Sequence, residues 1–219
     1  MGLFDFFKKK KVIKQENIYD EGFEDDMIQT KFINEETYAD TDEQSKKSNK
    51  TSQAKDYKGA ISDLNKEIEL DPNNVDTYIS RGVSKIALKD YKGSLADFNK
   101  AIELNPNNET VYYNSGTSKF NLRDYKEAIN DFNKAIELNP NYTDAYYNRG
   151  ESKINLKDYK EAINDFNKVI ELEPLSADAY YNRGISKYYT NDLNGACEDA
   201  KKSRSLGFDA FELIQIACN

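Results

Sequence analysis

The sequence predicts an all-α protein: a right-handed superhelical solenoid of 34-residue helix-turn-helix repeats, closed by a C-terminal capping helix. Three observations carry this. The four prolines, Pro72, Pro106, Pro140 and Pro174, follow one another at intervals of 34 residues. Gly82, Gly116, Gly150 and Gly184 keep the same step. Between each glycine and the next proline the apolar residues recur with helical period. A single globular core has no reason to space its helix breakers so evenly, whereas a stack of like units does.

From the N-terminus, residues 1–13 read MGLFDFFKKKKVI, with Leu3, Phe4, Phe6 and Phe7 set before a run of four lysines. Two readings of this segment stand. One is a weak membrane-surface anchor, in which apolar insertion of about 4–8 kcal/mol and about 1 kcal/mol per lysine near anionic lipid are nearly cancelled by ordering the segment. The other is a frayed terminus kept soluble by its lysines. Phe6 occupies the position where myristoylation needs Ser or Thr, so Gly2 is not expected to be acylated. Residues 14–53 are acidic and then polar, which predicts a largely disordered linker. One apolar island, Met27, Ile28, Phe32 and Ile33, interrupts it.

Residues 54–74 form half a repeat. Tyr57, Ala60, Ile61, Leu64 and Leu70 make the face of a second helix, but Gln44 and Ser48 stand where its first helix needs an aromatic residue and a glycine. The open side predicts a cover: the apolar island, a partner or a second copy. Full units follow at 75–108, 109–142 and 143–176. In the last of these, Tyr146, Gly150 and Ile154 stripe the first helix. Tyr159, Ala162, Ile163, Phe166, Val169 and Ile170 stripe the second. Asp158 with Glu161 three residues on predicts a capping box, and Pro174 ends the unit. Residues 177–207 form a divergent terminal repeat, with Leu193 and Ala200 in place of the tyrosine and the phenylalanine. Residues 208–219 predict a capping helix that turns Phe211, Ile214 and Cys218 inward and brings Cys218 toward Cys197. In a reducing compartment these two are small buried hydrophobes, with a disulfide as the alternative.

Tyr146, Gly150, Ala162, Phe166 and Pro174 match the aromatic, glycine, alanine, phenylalanine and proline offsets of the tetratricopeptide repeat, and the unit resembles that family. Two positions depart from it. Arg149 stands where the family has Leu, and Lys153 where it has Tyr; the same substitutions recur as Arg81, Arg183, Lys85, Lys119 and Lys187, which suggests cationic side chains that snorkel to water. The resemblance implies a concave groove, lined by the first helices, that holds an extended peptide or a partner helix. Its lining positions fall on Tyr113, Tyr147 and Tyr181, on Asn114, Asn148 and Asn182, and on Thr117, Glu151 and Ile185. Asparagine amides donate to and accept from a peptide backbone, and tyrosines offer contact area at small entropy cost. The alternative is that the recurring Tyr-Tyr-Asn is structural, copied with its unit. A chaperone-tail receptor is disfavoured: of the five positions that hold a terminal carboxylate in such family members, Ile79, Val83, Asn114, Asp144 and Asn148, only Asn114 has the required side chain.

Composition limits the remaining classes. The net charge of -8 over 219 residues and the mean hydropathy of -0.87 suit a solenoid that buries only its mutual contacts. No apolar run approaches a membrane span and no secretory h-region follows Met1, so a cytoplasmic location is expected, peripheral to the membrane if residues 1–13 anchor. The chain has no histidine and no phosphate-loop, metal-spacing or nucleophile motif, so it is not expected to be an enzyme or to need a cofactor or metal. The acidic balance argues against nucleic acid. A non-catalytic protein-protein interaction module follows as the leading function, with a membrane-peripheral assembly scaffold as the alternative; the oligomeric state is open.

Overall fold

The computed structural model describes residues 43–218. The segment 1–13, the acidic stretch that follows it and the apolar island at Met27, Ile28, Phe32 and Ile33 lie outside the described residues. Ten helices make up the described residues: α1 (Glu43–Leu70), α2 (Val75–Ala87), α3 (Tyr91–Leu104), α4 (Glu109–Asn121), α5 (Tyr125–Leu138), α6 (Thr143–Asn155), α7 (Tyr159–Leu172), α8 (Ala177–Tyr189), α9 (Leu193–Ser205) and α10 (Phe211–Ala217). From α2 to α10 each helix packs on the next, and the first helices α2, α4, α6 and α8 also touch in sequence. This is the solenoid that the 34-residue step predicts.

The start of α1 departs from the expected boundary. The spacing extends the linker to residue 53, yet the helix begins at Glu43. Its added turns mix glutamate, glutamine and lysine, which lose little in a helix, with weaker formers such as serine and asparagine, and contain no glycine or proline to break it. Extending the helix at Tyr57 upstream needs no new nucleus. At its other end α1 meets the next repeat: Ile68 packs against the cluster formed by Tyr78, Phe98, Ala101 and Val111, and Tyr78 Oη donates to the Pro72 carbonyl.

One contact organises the core of each repeat. Phe98, Phe132 and Phe166 are fully buried, and their rings lie against Gly82, Gly116 and Gly150. A Cβ at these glycines would stand 2.6, 2.7 and 2.8 Å from a ring carbon. The glycine therefore opens the space that the ring fills, and losing a ring would cost roughly 3–5 kcal/mol. The last repeat has Ala200 at the phenylalanine position. There Leu213 of α10 takes over the role, lying 2.9 Å from a Cβ built on Gly184.

The capping helix thus presents a different face from the one expected. Ala210, Leu213 and Ala217 are buried, while Phe211 is 51% exposed. These three recur at i, i+3 and i+7, and the two alanines let α10 approach closely while the leucine fills the gap left by Ala200. Seating Leu213 carries Cys218 to a Cα–Cα distance of 5.0 Å from Cys197, and the two are joined in a disulfide, within the span such a bridge needs. The reduced pair is overturned.

The expected capping box is also absent. Asp158 and Asp124 stand at their N-cap positions without a side-chain cap bond, whereas Asp90 and Asp192 accept from Gly93 N and Gly195 N at 2.9 Å. A Cβ on either glycine would collide with the capping carboxylate. The glutamate that would complete the box, as at Glu161, therefore brings the very atom that crowds the aspartate. Between the two helices of each repeat, Lys89, Arg123, Lys157 and Asn191 adopt φ of 60 to 66°, the left-handed stop that ends a helix.

Candidate peptide-binding groove

The first helices supply the residues that the repeat register places on one face, and the structure joins most of them to one another. Asn148 Nδ2 on α6 donates to Tyr113 Oη on α4 at 3.2 Å. One repeat later, Asn182 Nδ2 donates to Tyr147 Oη at 3.0 Å and to Glu151 Oε1 at 3.3 Å. Thr117 Oγ1 donates to the Tyr113 carbonyl. The tyrosine rings turn inward: Tyr113 lies tilted against Tyr142 at 4.9 Å, Tyr147 meets Phe166 edge-on at 5.8 Å, and Tyr181 lies 4.6 Å from Phe208. Asn182 is buried. These side chains fasten adjacent first helices, a role that the pattern of residue types alone does not reveal.

Asn114 is the exception. Its partner in the preceding repeat would be residue 79, an isoleucine without a hydroxyl, and its carboxamide makes no hydrogen bond among the described residues. By the repeat's symmetry Ile79 and Val83 stand toward Asn114 as Tyr147 and Glu151 stand toward Asn182. Val83 is 42% exposed. The face is therefore graded, with an apolar edge and a free amide at its N-terminal end and acidic groups, Asp144, Glu151 and Asp178, further along.

The phenols act as neutral groups. Burial, followed by the charges of Glu151 and Asp178, pushes the Tyr147 hydroxyl well above the ordinary tyrosine range. Burial and then Glu212 and Asp209 push Tyr181 up to about 12, and burial and then Asp144 raise Tyr113. Desolvation disfavours the charged form of each.

On the opposite side of the first helices the cationic residues do not snorkel. Arg81, Arg149 and Arg183 form ion pairs with Asp97, Asp165 and Asp199, and Lys85, Lys153 and Lys187 reach the same carboxylates at 2.7–2.8 Å. Asp97 and Asp165 are buried, and a buried carboxylate needs such partners. The signal was present in the sequence, because an aspartate precedes each of the phenylalanines Phe98, Phe132 and Phe166 and an aspartate recurs at 199.

The comparisons agree with this architecture. The tetratricopeptide repeat family model matches residues 110–142 and 143–174, and a TPR repeat model matches residues 84–122. The structure of MamA superposes with a TM-score of 0.68 at 27% identity, covering 77% of this chain and 96% of that one. YrrB, a TPR protein with an unusual peptide-binding site, superposes at 0.66 and 29% identity, covering 76% of this chain and 86% of that one. Tetratricopeptide repeats therefore make up residues 84–174. MamA 41-end from Desulfovibrio magneticus RS-1 shares the fold of these tetratricopeptide repeats at 20% identity and a TM-score of 0.63, over 70% of this chain and 94% of that one. No curated protein matches the sequence. Among the described residues no helix is long and apolar enough to cross a membrane, and no group of acidic or thiol side chains is arranged to hold a metal.

Proposed function

We propose that the tetratricopeptide repeats form a non-catalytic interaction module that holds a partner peptide, extended or helical, along α4, α6 and α8. Tyr113, Asn114, Thr117, Tyr147, Asn148, Glu151, Tyr181 and Asn182 line the site. Asn114 hydrogen-bonds the partner's backbone, while Asn148 and Asn182 hold the wall in shape. The free carboxamide of Asn114 beside Ile79 and the exposed Val83 carries this reading, because an amide capable of two kinds of hydrogen bond next to apolar surface matches a peptide backbone with an apolar side chain. Asp144, Glu151 and Asp178 favour a partner with a basic residue further along, and the net charge of -8 favours protein over nucleic acid.

The test is selection of binders from a random peptide library on the full chain, followed by affinity measurements on variants. Asn114→Ala is expected to weaken a selected peptide by about 1 kcal/mol, roughly fivefold, with an unchanged melting temperature. Asn148→Ala and Asn182→Ala are expected to lower the melting temperature, since each removes a tie between first helices. Selected peptides that bind Asn114→Ala as tightly as the native chain would place the site elsewhere.

A further inference from the structure

In three of the four two-helix repeats among the described residues, one arginine crosses the seam between successive second helices. Arg81 donates from Nε and Nη2 to Asp97 on α3 and from Nη1 to Asn65 on α1. Arg149 does the same to Asp165 and Asn133, and Arg183 to Asp199 and Asn167. Each guanidinium carbon lies over a tyrosine ring, Tyr78, Tyr146 or Tyr180, at 5.7, 5.2 and 5.3 Å from its centroid.

The repeat at 109–142 keeps the frame and lacks the arginine. Tyr112, Asp131, Lys119 and Asn99 occupy the corresponding positions, but Ser115 stands in place of Arg. The consequences are visible in the side chains. Asp131 is 14% exposed, against 2% for Asp97 and Asp165. Lys119 Nζ pairs with Asp131 Oδ2 at 2.7 Å, as Lys85 and Lys153 pair with their aspartates, but no guanidinium donates to this carboxylate, and the buried hydroxyl of Ser115 has no hydrogen bond. An ammonium beside the carboxylate does not replace the fork that the other repeats use.

We propose that this seam is a socket for the guanidinium of an arginine side chain supplied by a partner protein. Asp131 on α5 accepts the Nε and Nη2 edge, Asn99 Oδ1 on α3 accepts Nη1, and the Tyr112 ring offers its face. Two acceptors on different helices require a planar donor with several N–H groups, which selects arginine over lysine. The other repeats show that a lysine and an arginine share one aspartate in this frame, so Lys119 does not bar the ligand. Asn99 is exposed and marks the entrance. Ser115 lies two residues from Tyr113, more than half a turn around α4, so the socket opens away from the groove and does not depend on the peptide reading above.

Amide NMR of the full chain, with assigned signals for Asn99, Ser115 and Asp131, tests this. The probes are methylguanidinium, methylammonium and the tripeptides acetyl-Gly-Arg-Gly-amide and acetyl-Gly-Lys-Gly-amide, all at constant ionic strength. Saturable shifts at these three residues are expected with methylguanidinium and the arginine peptide. At least tenfold weaker responses are expected with the ammonium probes, in Ser115→Arg, which fills the frame from within, and in the exposed Asn99→Ala. Ser115→Arg is also expected to raise the melting temperature. Non-saturable shifts, equal responses to the ammonium probes, or undiminished binding in both variants would overturn the socket. Methylguanidinium binding without binding of the arginine peptide would overturn the partner arginine as its occupant. Because Asn114→Ala leaves this frame intact, loss of groove binding and loss of socket binding are separable.

Discussion

At the scale of single residues, the repeat substitutes a polar interlock for the leucine and tyrosine of its family. Arg149 and Lys153 both serve Asp165, so Arg149→Met leaves a buried carboxylate with one imperfect partner. We expect a loss of about 3 kcal/mol in urea unfolding; a loss below about 1 kcal/mol would show that Lys153 suffices. The tyrosines give a second expectation. Tyr113, Tyr142, Tyr147 and Tyr181 all have hydroxyl pKa values raised above the ordinary 10, Tyr142 and Tyr181 to about 12. The folded chain therefore keeps protons that the unfolded chain gives up in this range. Their contribution is complete below pH 10 and is lost as pH rises toward about 12. The melting temperature should fall over that interval, with tyrosinate absorbance at 295 nm appearing together with unfolding; a flat melting temperature to pH 11 would contradict this.

Among the elements, the C-terminal cap shows how a repeat array ends when its own side chain is too small. Ala200 leaves a gap, Leu213 fills it from α10, and the Cys197–Cys218 bridge holds that short helix in place. Closing a loop of about twenty residues is worth about 3 kcal/mol in the chain-entropy picture, and a seven-residue helix has little stability of its own. Reduction with a mild phosphine should therefore speed hydrogen exchange in α10 and along α8 and α9, while α3 to α5 exchange as before. Uniform acceleration along the chain would mean that the array unfolds as one block rather than from its end.

For the whole molecule, the solenoid was legible because its signal is a period. Prolines, glycines and phenylalanines return in register, and the same contact recurs wherever they do. Boundaries were less legible: a helix that continues upstream from Tyr57 needs only tolerant residues, so nothing in the linker's composition marks Glu43 as its start. The cap's inward face was misread because hydrophobicity favours Phe211, whereas shape favours Leu213 between two alanines. In the groove, residue type pointed to Asn114, Asn148 and Asn182 alike, and only the three-dimensional neighbours separate the free amide from the two that are tied. The arginine rungs carry a mechanical implication. Each of the three spans two repeats, joining α1 to α3, α5 to α7 and α7 to α9, but nothing of the kind joins α3 to α5, where Ser94 and Ser118 share a single hydrogen bond between α3 and α4. Under tension applied at residues 56 and 218, the coil is a spring with one soft winding. The first extension step in a single-molecule pulling trace should part residues 56–104, which the Arg81 rung keeps together, from the remainder, and Ser115→Arg should raise the force at which that step occurs.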